Sequence, residues 1–486
     1  MNQYLIAVDI GTTSSKCVCL SPDGKILSSQ QKFYPTQFSA NGFAEQNAEL
    51  IFESVHELIK SSIIKSATCI GLSFSSAMHT ITAVDHEGKV LMPLIIWSDT
   101  RSIEQSKKMI QSGYAQKFYE ISGTPIHPMS PLCKLLWLKE NQSGLFYNTF
   151  KFISFKEYVL SRLTGEYFID HSIASATGLF DLEKKEWSEE ILNYIGITKE
   201  KFPTPVPTNK ILQFKETVAA DLSLDKSTPL IIGASDGCLA QLGSNAMNED
   251  DLTITIGTSG AVRVASTQIK NDPQGKIFNY ILHDGIFISG GATNCGTALI
   301  TWFRESMNKI SSENLEEFVK QAEKIQAGSE GLICVPFLLG ERAPVYDPEA
   351  TGTFFGVRIN HSLLHFQKAL LEGICFEIKW IMESIENSFG RKNNIIVSGG
   401  ITHSKSWVQM LSNVIGRKII VTSETDASTL GAAKLGFETL GLEYKIHNSS
   451  NSEFYPEATV QSIYENQFVL IKKIYFKLKD LKSTKN

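Results

Sequence analysis

Several motifs that declare a function on their own are missing from these 486 residues. No GxxxxGK[ST] phosphate loop stands near the Gly-Thr-rich N-terminal turn. No GxGxxG follows the first strand, which speaks against a dinucleotide-binding oxidoreductase. No run approaches roughly 18 apolar residues, so no membrane span is expected. The eight cysteines show neither CxxC nor paired metal spacing. Cys17 and Cys19 share one face of a strand, and reduced, buried thiols are the expectation. There is no basic excess: 46 Lys and Arg face 51 Asp and Glu, for a net charge of −5 and a pI of about 6.1. Nucleic acid and anionic membrane surfaces are therefore not expected partners. No charged leader with an apolar signal region precedes the first strand, so a cytoplasmic location is expected. Low-complexity segments and short-period repeats are absent too. What remains is ordinary soluble composition, 42% hydrophobic and 20% charged, long enough for two domains with real cores.

Two similar segments stand far apart in the chain. Leu5 to Leu20 and Leu252 to Val264 each read as a strand, a tight Gly/Thr/Ser turn and a second strand. Such turns present backbone N–H groups and small hydroxyls to an anion. Their spacing suggests two related domains gripping one polyphosphate from opposite sides, divided into 1–247 and 248–486. Residues 48–63 carry a helical apolar stripe with Asn47 as N-cap. Further helices are expected over about 101–200, 313–325, 365–387 and 456–481, and strands at 68–74, 90–97, 229–235, 332–337 and 395–398.

The first turn combines Asp9, Gly11, Thr12, Thr13, Ser14 and Lys16: a carboxylate at a strand end, a glycine, hydroxyls and a cation. That set suits Mg²⁺ at Asp9, directly or through water, and phosphates at the turn; the competing reading is a plain hairpin. Asp236, in Gly-Ala-Ser-Asp-Gly, can accept a proton from an attacking hydroxyl or can cap the following helix. Ala77, Met78 and His79 follow one strand, and Trp97, Asp99 and Arg101 follow another. Small, aromatic and hydrogen-bonding residues at neighbouring strand ends are what a polyol pocket needs. A core Trp with a structural Asp–Arg ion pair is the alternative. His127 is either a pocket residue or part of a constrained loop. Gly399, Gly400 and Ser404 form a second glycine platform on which a nucleotide base can lie, with 290–297 as its opposite wall, or else a close-packed turn.

These residues together resemble the FGGY carbohydrate kinases of the actin/Hsp70/sugar-kinase superfamily. DIGTTSSK at 9–16 is similar to the family's first phosphate motif and TIGTSG at 255–260 to its second. GASDG at 233–237 carries the position of the catalytic base, Asp236, and SGGI at 398–401 resembles the adenosine motif. MSPLCKLLWLKEN at 129–141, with Lys134 and Trp137, and GTFFGV at 352–357, followed by His365, Phe366 and Glu372, are similar to the two family signatures. SFSSAMH (73–79), SGTPIHPMSPL (122–132), IASATGLFDL (173–182) and GERAP (340–344) most resemble the gluconate-phosphorylating members. Ala77-Met-His-Thr80 replaces the Gln-Met-His-Gly typical of xylulose kinases, and Met129 stands where glycerol kinases have an aromatic nearby.

The resemblance implies an α/β protein of two ribonuclease-H-like domains with an interdomain cleft that closes on substrate. It implies ATP and Mg²⁺ as cofactors, with a sugar acid or polyol as the small-molecule partner. Asp236 would be the base, and Asp9 with Asp236 the metal ligands. ATP would meet Gly11, Thr12, Thr13, Ser14, Lys16, Gly257, Thr258, Ser259, Thr297, Gly399, Gly400 and Ser404. Substrate would meet Ala77, Met78, His79, Trp97, Asp99, Arg101, His127, Met129 and Asp236. Phosphorylation of D-gluconate at its 6-hydroxyl is the expected reaction. Arg101, His79, His127 and Lys134 are the available counter-charges for the sugar's carboxylate. A xylulose or other polyol kinase, and a sugar-independent ATPase clamp of the same superfamily, are the alternatives. The family includes monomers, dimers and tetramers, so a homo-oligomer is allowed.

Overall fold

The computed structural model describes residues 3–308, 314–422, 426–444 and 452–483. The elements used below are, in chain order, β1 (Gln3–Ile10), β2 (Ser14–Leu20), β3 (Ile26–Phe33), α1 (Ala48–Ser61), β4 (Thr68–Ser76), α2 (Pro131–Asn141), α3 (Phe155–Thr164), α4 (His171–Ser175), β5 (Ile211–Leu212), β6 (Leu230–Ser235) and α5 (Asp236–Gly243). They continue with β7 (Asp251–Ile256), β8 (Gly260–Ser266), β9 (Ile286–Thr293), α6 (Thr297–Phe303), α7 (Leu363–Phe389), β10 (Asn394–Ser398), α8 (Lys405–Ile415), β11 (Ile419–Val421), α9 (Ala427–Thr439), β12 (Ser452–Phe454) and α10 (Ala458–Ser483).

The chain forms two compact units. The first comprises Met1–Met247, Ala265–Ser289 and Asp426–His447; the second comprises Asn248–Val264, Gly290–Thr425 and Asn448–Asn486. Two segments beyond the expected division at 247/248, Ala265–Ser289 and Asp426–His447, group with the first unit. The second of them carries α9, whose glycines pack closely against that unit's sheet and helices.

The first unit is built on a six-stranded sheet in the order β5-β6-β4-β1-β2-β3. β1 pairs antiparallel with β2 and parallel with β4, and β4 pairs parallel with β6. Leu5, Ile6, Ala7 and Val8 are all fully buried, as a strand covered on both faces requires. On α1, Ile51, Val55, Leu58 and Ile59 form the buried stripe, and Asn47 caps its first turn through Oδ1. α9 lies on the sheet so closely that a Cβ at Gly436 would meet Leu5 Cδ1 at 2.7 Å and Ser73 Cβ at 2.8 Å. The helical stretch expected over 101–200 is real but is interrupted by short strands at Lys151–Ile153, Phe168–Asp170, Phe180–Asp181 and Glu186–Trp187.

The second unit repeats this topology. Its strands belong to a seven-stranded sheet, six of them in the order β9-β8-β7-β10-β11-β12 with the strand Phe278–His283 at the edge beside β9; β7 is antiparallel to β8 and parallel to β10, and β10 is parallel to β11. Long, largely buried α7 packs beside α8. The helix expected over 313–325 is observed as Leu315–Ala322, and Glu313 lies outside the described residues. The strand expected over 90–97 is reduced to Leu94–Ile95. All eight cysteines are free, seven of them buried. Among the described residues no helix is long and apolar enough to cross a membrane.

Candidate active site

In the first unit the parallel strands β1, β4 and β6 end at one level. Asp9 is in register with Ser75, and Ser76 with Ser235. Asp9, the Ala77-Met78-His79 loop and Asp236 therefore emerge from one edge of one sheet. By strand spacing, Asp9 and Asp236 stand about 10 Å apart, with β4 between them.

The helix-capping reading of Asp236 does not hold. Ser235 is the N-cap of α5, its Oγ accepting from Cys238 N at 3.4 Å, and Asp236 is the first helical residue. Asp236 Oδ1 accepts from Gly237 N at 2.6 Å, so the carboxylate is held at the helix start, where the dipole favours its charge.

The phosphate-type hairpin is tightly braced. Gly11 N donates to Ser14 O at 3.0 Å, Tyr34 Oη donates to Gly11 O, and Gln46 Nε2 donates to Thr12 O. Ser14 Oγ accepts from Gln31 Nε2 at 2.7 Å. Lys16 sits opposite Asp9 across β1 and β2 and forms an ion pair with Asp426. Asp9 Oδ2 accepts from Ser428 Oγ at 3.1 Å. Burial pushes the Asp9 carboxyl pKa up and Asp426 adds to this, while Ser75, Ser428 and Lys16 pull it down. Asp426 and Ser428 were not foreseen, because their partners lie more than 400 positions away; the small residues of α9 are the only local hint.

Asp99 and Arg101, expected at the substrate, engage each other. Asp99, 1% exposed, accepts from Arg101 N and Nε through Oδ1, and from Arg101 Nη2 at 2.8 Å and Ala44 N at 2.6 Å through Oδ2. Arg101 Nη2 also binds Glu45 Oε1 at 2.5 Å, and its guanidinium lies 3.9 Å from the Phe43 ring centroid. The pair's charges and one guanidinium face are thus engaged within the unit. Lys134, an expected counter-charge, is engaged as well. It is fully buried and donates to His79 O at 2.6 Å and Ile96 O at 2.8 Å. Burial pulls its pKa down to about 7, Asp99 pulling upward and Arg101 downward. Lys134 thereby ties the His79 loop to the segment entering Trp97. His79 has φ +64°, a left-handed conformation that a side chain adopts at a cost, and this tie holds it. His79 Nε2 lies 3.4 Å from Tyr280 Oη. His127 and Met129 are buried, and His127 Nδ1 accepts from Met129 N at 3.2 Å, which puts the neutral ring's proton on Nε2.

In the second unit, Thr255 of β7 and Ser398 of β10 are in register, so the Gly257–Ser259 turn and Gly399-Gly400 share one edge. A Cβ at Gly400 would lie 3.8 Å from both Gly257 Cα and Thr297 Cγ2. Thr297 N donates to Gly257 O at 2.8 Å, and Gly296 admits no Cβ because Gly257 O would be 2.5 Å away. At Gly257 itself a Cβ would meet nothing within 4 Å, so packing does not demand glycine there and close approach of a ligand can. Ser404, expected at the nucleotide, is fully buried and caps α8, its Oγ accepting from Trp407 N at 3.3 Å.

Family models for the N-terminal and C-terminal domains of the FGGY family of carbohydrate kinases match residues 4–243 and 252–439. The chain belongs to the FGGY family of carbohydrate kinases. It is 36% identical over 455 residues to a gluconokinase of Bacillus subtilis (strain 168), covering 91% of this chain and 88% of that one. Two crystal structures from Lactobacillus acidophilus, a gluconate kinase and a ligand-bound xylulose kinase, each superpose with a TM-score of 0.92 at 31% identity, covering 98% of both chains. The protein is thus an ATP-dependent sugar kinase with the two-domain FGGY fold. Members of this family use ATP with a divalent cation. The residues present fit such an ion: Asp9 Oδ1 is a buried carboxylate oxygen with no hydrogen-bond partner among the described residues. Among the described residues no cluster of three metal-ligating side chains exists, so an FGGY-type cation here would be completed by phosphate and water.

Proposed function

We propose that the protein transfers the γ-phosphoryl group of ATP to the 6-hydroxyl of D-gluconate, giving 6-phosphogluconate. The observation that carries the reading is Asp236 at the first turn of α5, beside the Ala77-Met78-His79 loop, with helix capping taken over by Ser235. Asp236 orients the sugar hydroxyl and accepts its proton. In the first unit, Lys16 and the Gly11–Thr13 turn are the groups that can neutralise phosphate charge; in the second unit, the Gly257–Ser259 turn with Gly399-Gly400 is an edge that can receive a nucleotide. Mg²⁺, held at Asp9, would supply charge neutralisation on the phosphates. We assign the sugar's carboxylate to His79 and His127, the latter through Nε2–H, because His127 Nδ1 accepts from Met129 N. Similarity to the Bacillus subtilis gluconokinase supports this substrate.

The equal likeness to a ligand-bound xylulose kinase supports a second reading, a pentulose kinase with the same base and hairpin. ADP release with Mg²⁺-ATP against gluconate, xylulose, ribulose, glycerol, fuculose and no sugar separates the two. Selective turnover of gluconate is expected. Faster turnover of a ketopentose overturns the substrate but keeps Asp236. ADP release that ignores every sugar overturns the kinase reading and favours an ATPase clamp.

A further inference from the structure

A second group of charged residues lies behind the base, inside the first unit. Lys156 on α3 and Asp170, the N-cap of α4, are both fully buried, with Nζ 2.7 Å from Oδ2. Taking two charges out of water is costly, and an apolar pair of similar size is often at least as stable. The pair's connections supply a reason for its presence. Lys156 Nζ donates to Ala234 O at 3.3 Å, two residues before Asp236. Asp170 Oδ1 accepts from Ile173 N at 2.9 Å and so fixes the start of α4. That helix presents Ser172, whose Oγ lies 2.9 Å from Ser235 Oγ and accepts from Ser235 N at 3.1 Å. Ser235 in turn caps the helix that Asp236 opens.

We propose that Lys156, Asp170 and Ser172 are positioning residues for Asp236: a buried ion pair and a serine relay that fix the carbonyl, the amide and the cap from which the base projects. The proposal rests on Asp236 being the base. None of the three touches substrate. Their contribution is to hold β6 and the start of α5 still enough for the carboxylate to meet the hydroxyl, where a misplacement of about 1 Å can cost on the order of 100-fold in rate.

The test uses the full-length enzyme, Mg²⁺-ATP and whichever sugar turns over fastest. Ser172→Ala removes one hydroxyl without leaving a buried charge, and Lys156→Met with Asp170→Leu removes both charges together. Each is expected to lower kcat by about tenfold or more while the sugar KM stays within about twofold, with a melting temperature close to that of the parent. Ser172→Thr, which keeps the hydroxyl, should recover most of kcat. If the double variant does not fold, the Ser172 pair decides alone. Wild-type kcat in Ser172→Ala, or in a folded double variant, overturns the relay. So does a kcat loss matched by an equal rise in KM. Turnover that survives Asp236→Asn overturns the base assignment and the relay with it; turnover abolished by Asp236→Asn yet intact in the relay variants overturns the relay alone.

Discussion

Adding one methyl group at Gly243 forces two helices apart. A Cβ there would stand 1.8 Å from Ala427 O and 2.7 Å from Gly431 N, both on α9. The crossing is equally close from the other side, since a Cβ at Gly431 would meet Leu239 O at 2.0 Å. Ordinary contact needs roughly 3.5 Å, so α5 and α9 must separate locally by about 1.5 Å. Overpacking of this kind costs about 1–3 kcal/mol. The functional consequence follows from what flanks Ala427: Asp426 pairs with Lys16, and Ser428 Oγ reaches Asp9 at 3.1 Å. A shift of about 1.5 Å would break the second contact and re-aim both charged residues of the Asp9–Lys16 hairpin. Gly243→Ala should therefore lower the melting temperature by several degrees and reduce kcat/KM for ATP by about 100-fold. Gly144→Ala is the control, because a Cβ at Gly144 meets nothing within 4 Å. Thermal melts and ATP titrations of coupled ADP release read both effects. A Gly243→Ala enzyme that melts and turns over like Gly144→Ala would refute the argument that this helix crossing sets the hairpin.

Two further outcomes are expected. Asp236→Asn should bind ATP nearly as the parent does and lose at least about 100-fold in turnover, measured by nucleotide binding beside single-turnover kinetics; near-normal turnover would remove Asp236 as base. Glu157 titrates abnormally: burial pushes its pKa from 4.5 up to about 7, helped by Asp170 and opposed by Ser154 and Lys156. The folded state thus binds more protons than the unfolded one between about pH 4.5 and 7, so this group's stabilising contribution is lost as pH rises through that window. Glu157→Gln keeps an acceptor for Ser154 N and removes the titration. It should flatten the pH dependence of the melting temperature and stabilise the protein at pH 8 by up to about 3 kcal/mol, with little change at pH 5. A parallel pH profile in both proteins would contradict the cause assigned to the shift.

Local features were legible in the residues because their physics is local. The strand–turn–strand segments at Asp9–Lys16 and Thr255–Gly260, the Asn47 cap and the α1 stripe each depend on partners within one element or its neighbour. The paired motifs also pointed to two related halves, and six strands of the seven-stranded second sheet follow the order of the first sheet. Residue type disclosed the chemistry available at Asp99, Arg101, Lys134 and Ser404 but not which partner engages it. Arg101 meets Glu45, Lys134 meets two carbonyls, and Ser404 caps a helix.

Hydrophobic periodicity and turn chemistry, acting over a few residues, were enough to set most of the longer elements and the two Gly/Thr-rich turns. Tertiary packing alone brought α9 back into the first unit, paired Asp426 with Lys16 across 410 positions, and set the Lys156–Asp170 pair against the strand that leads into Asp236. Those contacts join side chains and backbones that are adjacent only after the sheets have formed, so no local pattern could encode them.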